Sequence, residues 1–188
     1  MIALLASVLI ATNASPQEIV RDCRAQLPAE IELSGRLIMR NRRGVVLAEH
    51  AYRLVRENGS TSLSIDGTTS YNPTPGPICG TDVTWSDVTL DYLWWDDVSF
   101  DATREGETVN GQVCLVLVLK KDNRAVRVWV DRKTGALMQA EELKNGEAVR
   151  RLWGTRLKKF GERWMANVME VETIGSGHRT KITVEEMK

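Results

Sequence analysis

From about residue 32 onward, apolar and polar side chains alternate with a period of two, the pattern of strands with one face on a core and one in water. Ahead of that point the period is helical. Ile19, Val20, Cys23 and Leu27 share one helical face, and Pro28 ends the run. Ser15-Pro16-Gln17-Glu18 opens it: Ser15 caps, Pro16 suits the first turn, and Glu18 closes a capping box. Asn41-Arg42-Arg43-Gly44, Asn58-Gly59 and Asp66-Gly67 are tight-turn signals that delimit strands near 32–40, 45–56 and 61–65. Residues 71–80 hold three prolines and two glycines and predict a loop. Behind them Thr84-Trp85-Ser86-Asp87 is a second capping-box form, and Trp85, Val88, Tyr92 and Trp95 recur at helical spacing. A short helix is expected there, followed by an aromatic-rich connection as far as Phe100.

The second half predicts a meander of six strands at 112–121, 124–131, 136–144, 147–159, 163–174 and 178–187. Their joints are Asp122-Asn123, Asp131 to Gly135, Asn145-Gly146, Gly161-Glu162 and Gly175-Ser176-Gly177. Links this short make the strands antiparallel neighbours, because a parallel crossover needs a dozen residues or more. About nine strands with two short helices predict a mainly β (α+β) domain, a curved or half-closed antiparallel sheet.

Composition adds location and excludes partners. Met1 to Ala14 is uncharged and mostly apolar, too short to cross a bilayer as a helix but suited to a secretory signal cleaved before Ser15. The alternative is a buried N-terminal helix. Export leaves residues 15–188 as one soluble domain, long enough for a sizeable core. The net charge of zero argues against nucleic acid. Its distribution is uneven: residues 81–110 hold eight acidic side chains against Arg104 alone, and residues 111–188 hold sixteen basic and ten acidic ones. The acidic stretch is therefore expected to lie across the basic sheet or to meet a basic partner. Three cysteines in an exported chain allow one disulfide. Cys79, in a Pro/Gly turn, and Cys114, at a strand start, are the expected pair, with Cys23 buried on the helix.

Candidate chemistry is sparse. His50 and His178 stand apart among polar strand residues, without a metal-ligand or nucleophile signature around them. Asp96 and Asp97 are adjacent on an extended segment, so their side chains diverge. No CxxC, phosphate-binding glycine loop or nucleophile motif is present. The expectation is a protein without a catalytic site, metal or cofactor. Binding has better support: six tryptophans outnumber three tyrosines and two phenylalanines, and Val113 to Leu119 is apolar at every position, as in a strand covered on both faces. Trp and Met suit a surface that accepts irregular apolar ligands. The residues by themselves favour the simpler reading, that these side chains fill the core of a small barrel, because buried area is what Trp mainly supplies.

Family patterns bear on that choice. Val128-Trp129-Val130-Asp131-Arg132-Lys133-Thr134-Gly135 is followed by Glu141 and Glu142, the Asn145-Gly146-Glu147 turn, Arg150 to Phe160, Gly161-Glu162-Arg163-Trp164 and a last strand with His178-Arg179-Thr180-Lys181-Ile182. This series, with Gly80 to Val88, Leu93-Trp94-Trp95 and Val109 to Cys114, resembles the outer-membrane lipoprotein-sorting family, the LolA/LolB-like periplasmic carriers, over residues 80–188. The resemblance implies an unclosed antiparallel β-barrel with short helices covering the concave face and an apolar cavity for the acyl chains of lipoproteins or another lipid. It also implies a periplasmic monomer that exchanges its cargo with an inner-membrane lipoprotein-releasing transporter and an outer-membrane acceptor. Residues 84–100 would form part of the lid or lining. The candidate cavity and lid residues are Trp85, Leu93, Trp94, Trp95, Met138, Trp153, Met165 and Met169, with Asp96 and Asp97 at the wet rim. Two other functions fit the same fold: a periplasmic sensor of the kind that regulates anti-sigma factors, and an envelope scaffold with a filled core.

Overall fold

The computed structural model describes residues 14–70, 76–160 and 163–188. The expected leader, apart from Ala14, part of the Pro-rich loop (71–75) and the Gly161-Glu162 joint lie outside the described residues. Helix α1 (Pro16–Ala25) starts on the predicted capping box, with Ser15 and Glu18 bonded to each other's backbone N–H. Its stripe of Ile19, Val20 and Cys23 is buried. Gln26, just past its end, donates to the carbonyl of Thr134 at 2.9 Å and so ties the helix to a turn of the sheet.

Among the described residues twelve antiparallel strands follow: β1 (Ile31–Asn41), β2 (Val46–Glu57), β3 (Ser60–Ile65), β4 (Thr68–Ser70), β5 (Asp97–Phe100), β6 (Thr108–Val109), β7 (Gln112–Lys121), β8 (Arg124–Asp131), β9 (Leu137–Lys144), β10 (Glu147–Phe160), β11 (Arg163–Thr173) and β12 (His178–Met187). They form one sheet in the order β4-β3-β2-β1-β12-β11-β10-β9-β8-β7-β5, with β6 paired to β7. The chain's two halves meet where β1 pairs with β12. The ends of the order, β4 and β5, do not pair with each other, so the curved sheet is an unclosed barrel. Bulges bend it at several points, among them Ser34/Gly35, Trp129/Val130 and Gly154/Arg156. Gly35 is obligatory at its bulge: a Cβ there would lie 1.8 Å from the carbonyl oxygen of Thr183.

Between β4 and β5 the chain crosses the concave face as helix α2 (Trp85–Thr89), opened by a Thr84/Asp87 capping box, and a 3₁₀ turn (Asp91–Trp94). Leu90 joins the two in the left-handed region at φ 56°, a conformation a buried Leu keeps only where packing holds it. One apolar cluster fills the space between this segment, α1 and the sheet, including Leu37, Leu54, Leu117, Val128, Leu152, Met169 and Ile182. A smaller cluster of Cys114, Val116 and Trp129 lies on the opposite, convex face, beneath residues 101–109. The all-apolar strand β7 is accordingly covered on both faces, as its sequence requires. No helix among the described residues is long and apolar enough to cross a membrane.

Candidate functional site

The concave face and its cover form the candidate site. Leu93 and Trp95 are buried in the main cluster beside Met165 and Met169, and Trp85 packs against it partly buried. Trp95 meets the ring of Tyr92 edge-on at 6.4 Å and carries the Arg124 guanidinium at 4.8 Å. These five candidates are brought together. Three others are not. Trp94 is 47 % exposed and sits outside the cover between the guanidinium groups of Arg24 and Arg56, at 5.8 and 5.7 Å. Alternation decides Trp153: its neighbour Leu152 takes the concave face, so Trp153 points to the convex side, where Arg179 stacks on it at 4.9 Å. Met138, beside the Trp129/Val130 bulge, packs on the convex cluster. Asp96 and Asp97 are exposed.

The expected disulfide is also corrected. Both thiols are free: Cys79 is exposed in the turn Ile78–Gly80 and Cys114 is buried in the convex cluster. Cys23 is buried as expected, and burial pushes its thiol up to about 12.

Polar side chains fasten the cover to the sheet, and the sequence had not marked them. Asp82 is fully buried at the start of the cover. Its carboxylate accepts from the backbone N–H of Thr173 at 3.1 Å and the hydroxyl of Thr180 at 3.0 Å, and pairs with Nδ1 of His178 at 3.0 Å. Arg150 of β10 is the second fastening. Its guanidinium donates to the carbonyl of Asp82 at 2.6 Å, to Glu142 at 3.0 Å, to the hydroxyl of Thr84 at 3.3 Å, and to the carboxylate of Asp87. Burial works against its charge, but Asp87 and Glu142 outweigh it and its pKa is raised. Arg56 adds a bond to the carbonyl of Thr89 at 2.9 Å, and Arg124 one to the hydroxyl of Ser86 at 2.8 Å. The acidic stretch thus does lie across the basic sheet.

His178 therefore does not stand alone, and neither does His50, whose Nδ1 lies 2.7 Å from Asp66. Beside the Arg150 fastening, the hydroxyl of Tyr92 and Nε of Arg150 are buried without a hydrogen-bond partner. The same surroundings, burial first and Asp87 next, raise the Tyr92 pKa well above the ordinary phenol value. Among the described residues no group of three or more His, Cys, Asp or Glu is placed to hold a metal.

A family model whose only description is an uncharacterized protein matches residues 69–188, well over half of the chain. The chain belongs to that family. No curated protein sequence matches it. Among solved structures, a LolA superfamily protein from Nitrosomonas europaea superposes with a TM-score of 0.75 at 12 % identity, over 93 % of each chain. The fold is LolA-like. A putative outer membrane lipoprotein-sorting protein domain from Vibrio parahaemolyticus superposes at 0.71 and 15 % identity, over 92 % of this chain and 91 % of that one. A DUF1329 family protein from Desulfovibrio piger does so at 0.67 and 14 %, over 93 % of each. At these identities the LolA-like architecture is what is shared, and this chain is a divergent example of it.

Proposed function

We propose that this protein is a periplasmic carrier that shields the acyl chains of a lipoprotein or another lipid on its concave face, beneath the cover at residues 81–100. A part-buried arginine holding an apolar lid by polar bonds is the observation that carries this reading. A cover meant only to complete a core gains nothing from enclosing the Arg150 Nε and the Tyr92 hydroxyl without partners, at a cost of about 1–3 kcal/mol for each such group. A lid that must open gains a great deal, because polar bonds exchange readily with water once broken. Each methylene of cargo taken from water contributes about 0.8 kcal/mol, enough for an acyl chain to displace Leu93 and Trp95 from the sheet. Release follows when the latch re-forms. Loading from an inner-membrane transporter and delivery to an outer-membrane acceptor complete the cycle.

The test is a titration of the protein with a long-chain fatty acid carrying a dansyl group, alongside the variant Arg150→Met. Uptake is read as a blue shift and rise of dansyl emission, and the variant, with its latch broken, is expected to take up probe more tightly. If neither protein binds the probe while both keep the β-sheet circular-dichroism spectrum, the concave face is a sealed core and the carrier reading fails.

A further inference from the structure

One end of the sheet carries a surface that the concave site does not use. At the β1–β2 hairpin Val45, Val46 and Leu47 are 56, 46 and 50 % exposed, three consecutive apolar side chains in water. Ile174, in the β11–β12 hairpin, is 43 % exposed. The two hairpins are joined by a bond from the Arg42 N–H to the carbonyl of Gly177 at 3.1 Å. Asn41 makes the first one rigid, its side chain accepting from the N–H groups of Arg43 and Val45 at 2.9 and 3.0 Å. The hairpin also projects: β3 and the turn after it reach β2 only from His50 to Glu57, so the ladder with β3 does not extend to Val46–Glu49.

Cations surround the apolar tip. Between the hairpins lies a cavity of about 460 Å³ lined by Arg40, Arg42, Arg179 and Lys181. Its carboxylates, Glu170 and Glu172, are both taken by Arg179 at 2.8 and 3.1 Å. Among the described residues Arg40, Arg42, Arg43 and Lys181 have no carboxylate partner, and Arg40 stands directly across the ladder from Arg179.

We infer that this end of the molecule docks on an anionic phospholipid bilayer, with Val45, Val46 and Leu47 entering the acyl boundary and the arginines and Lys181 taking lipid phosphates. The occupant is argued from charge complementarity and shape. Four cations clustered without carboxylate partners attract an anionic surface, and a rigid, projecting apolar tip suits a surface that can be entered, whereas a folded partner would need a recess to match it. The inference is independent of the cargo reading, because it concerns residues outside the concave face.

The experiment places an environment-sensitive fluorophore on Val46→Cys in the full chain, in a Cys79→Ser background that leaves only the two buried thiols. A control label goes on Glu57→Cys at the far end of β2. On adding vesicles of phosphatidylethanolamine and phosphatidylglycerol, the label at 46 is expected to shift to shorter wavelength and the label at 57 to stay unchanged. Replacing Arg40, Arg42 and Arg43 by Gln lowers vesicle affinity about a hundredfold, and raised salt weakens binding of the parent. A label at 46 that remains in water while the chain floats with vesicles overturns the inference. So does equal binding to phosphatidylcholine vesicles. Dimers in analytical ultracentrifugation that Val46→Ser with Leu47→Ser dissolves would assign the patch to a second copy and overturn it as well.

Discussion

The acidic stretch of the chain covers both faces of the sheet, and it does so by different means. On the concave side residues 81–100 lay Val83, Val88, Leu90, Leu93 and Trp95 on a broad apolar surface, and buried polar groups at one end fasten them. On the convex side residues 101–109 cover only Cys114, Val116 and Trp129. There the polar bonds are spread along the stretch: Asp101 to Arg127 at 2.8 Å, a pair as buried as Arg150 with Asp87, and Glu107 to the Trp129 indole N–H at 2.8 Å and to Arg104 at 2.9 Å. A large apolar contact with a concentrated polar latch can come away as a unit when the latch breaks. A small contact with dispersed bonds frays without a threshold. The difference fits a moving lid on one face and a fixed patch on the other.

Asp82→Ala should break that comparison most severely. It removes a fully buried carboxylate and leaves Thr180, His178 and the Thr173 N–H unpaired, so urea denaturation should show a loss of about 3–5 kcal/mol. If the loss is no greater than that of Glu107→Gln on the convex side, the latch is not where the energy is concentrated. Arg150→Met is next. Hydrogen exchange should speed up together across residues 81–95 while the amides of β8 to β12 keep their protection, and exchange that rises everywhere would contradict a separable lid. Trp129→Phe removes the indole bond to Glu107, and about 1 kcal/mol of stability should go with it.

The convex patch also predicts a modest acid sensitivity. The hydroxyl of Thr103 first, and then Arg127, hold the Asp101 carboxyl below its ordinary value. A depressed folded-state pKa stabilises the native state above the unfolded value and loses that contribution as pH falls through the folded one. Asp101→Asn should therefore lower the melting temperature at neutral pH and make progressively less difference as the solution is acidified below the ordinary carboxylate range. The smallest effect is a count of thiols. Native protein should expose Cys79 alone to a thiol reagent at mildly alkaline pH, because burial pushes Cys23 and Cys114 up to about 12 and about 11, and denaturant should release all three. A single reactive thiol after denaturation would mean that Cys79 and Cys114 are bonded after all.

Much of the fold was legible. Both capping boxes form where Ser15/Glu18 and Thr84/Asp87 suggested, and the six C-terminal strands begin and end within a residue or so of the turn signals. Strands β4, β5 and β6 were not anticipated, because two to four residues give no period to read and their pairing depends on what lies alongside. The site was legible by composition more than by residue. Leu93, Trp95, Met165 and Met169, chosen for their bulk, lie in the concave cluster, and Trp94, Trp153 and Met138, chosen the same way, lie outside it. For Trp153 the alternation with Leu152 was the available signal. Arg150 and His178 carried none locally, since their partners Asp87 and Asp82 lie 63 and 96 residues away. The segregation of acidic and basic charge was the trace they left in the sequence.

Turn chemistry, caps and period-two patterning determined by themselves that this chain is an antiparallel meander with two short helices, because each depends on residues a few positions apart. Only the tertiary structure decided which face each large side chain takes, that the acidic stretch is fastened over the concave side by Asp82 and Arg150, and that Val45 to Leu47 stand in water among unpaired arginines. Those outcomes depend on bulges, sheet curvature and contacts between strands far apart in the chain, and the free energy of a buried charge is set by whichever groups the fold brings beside it.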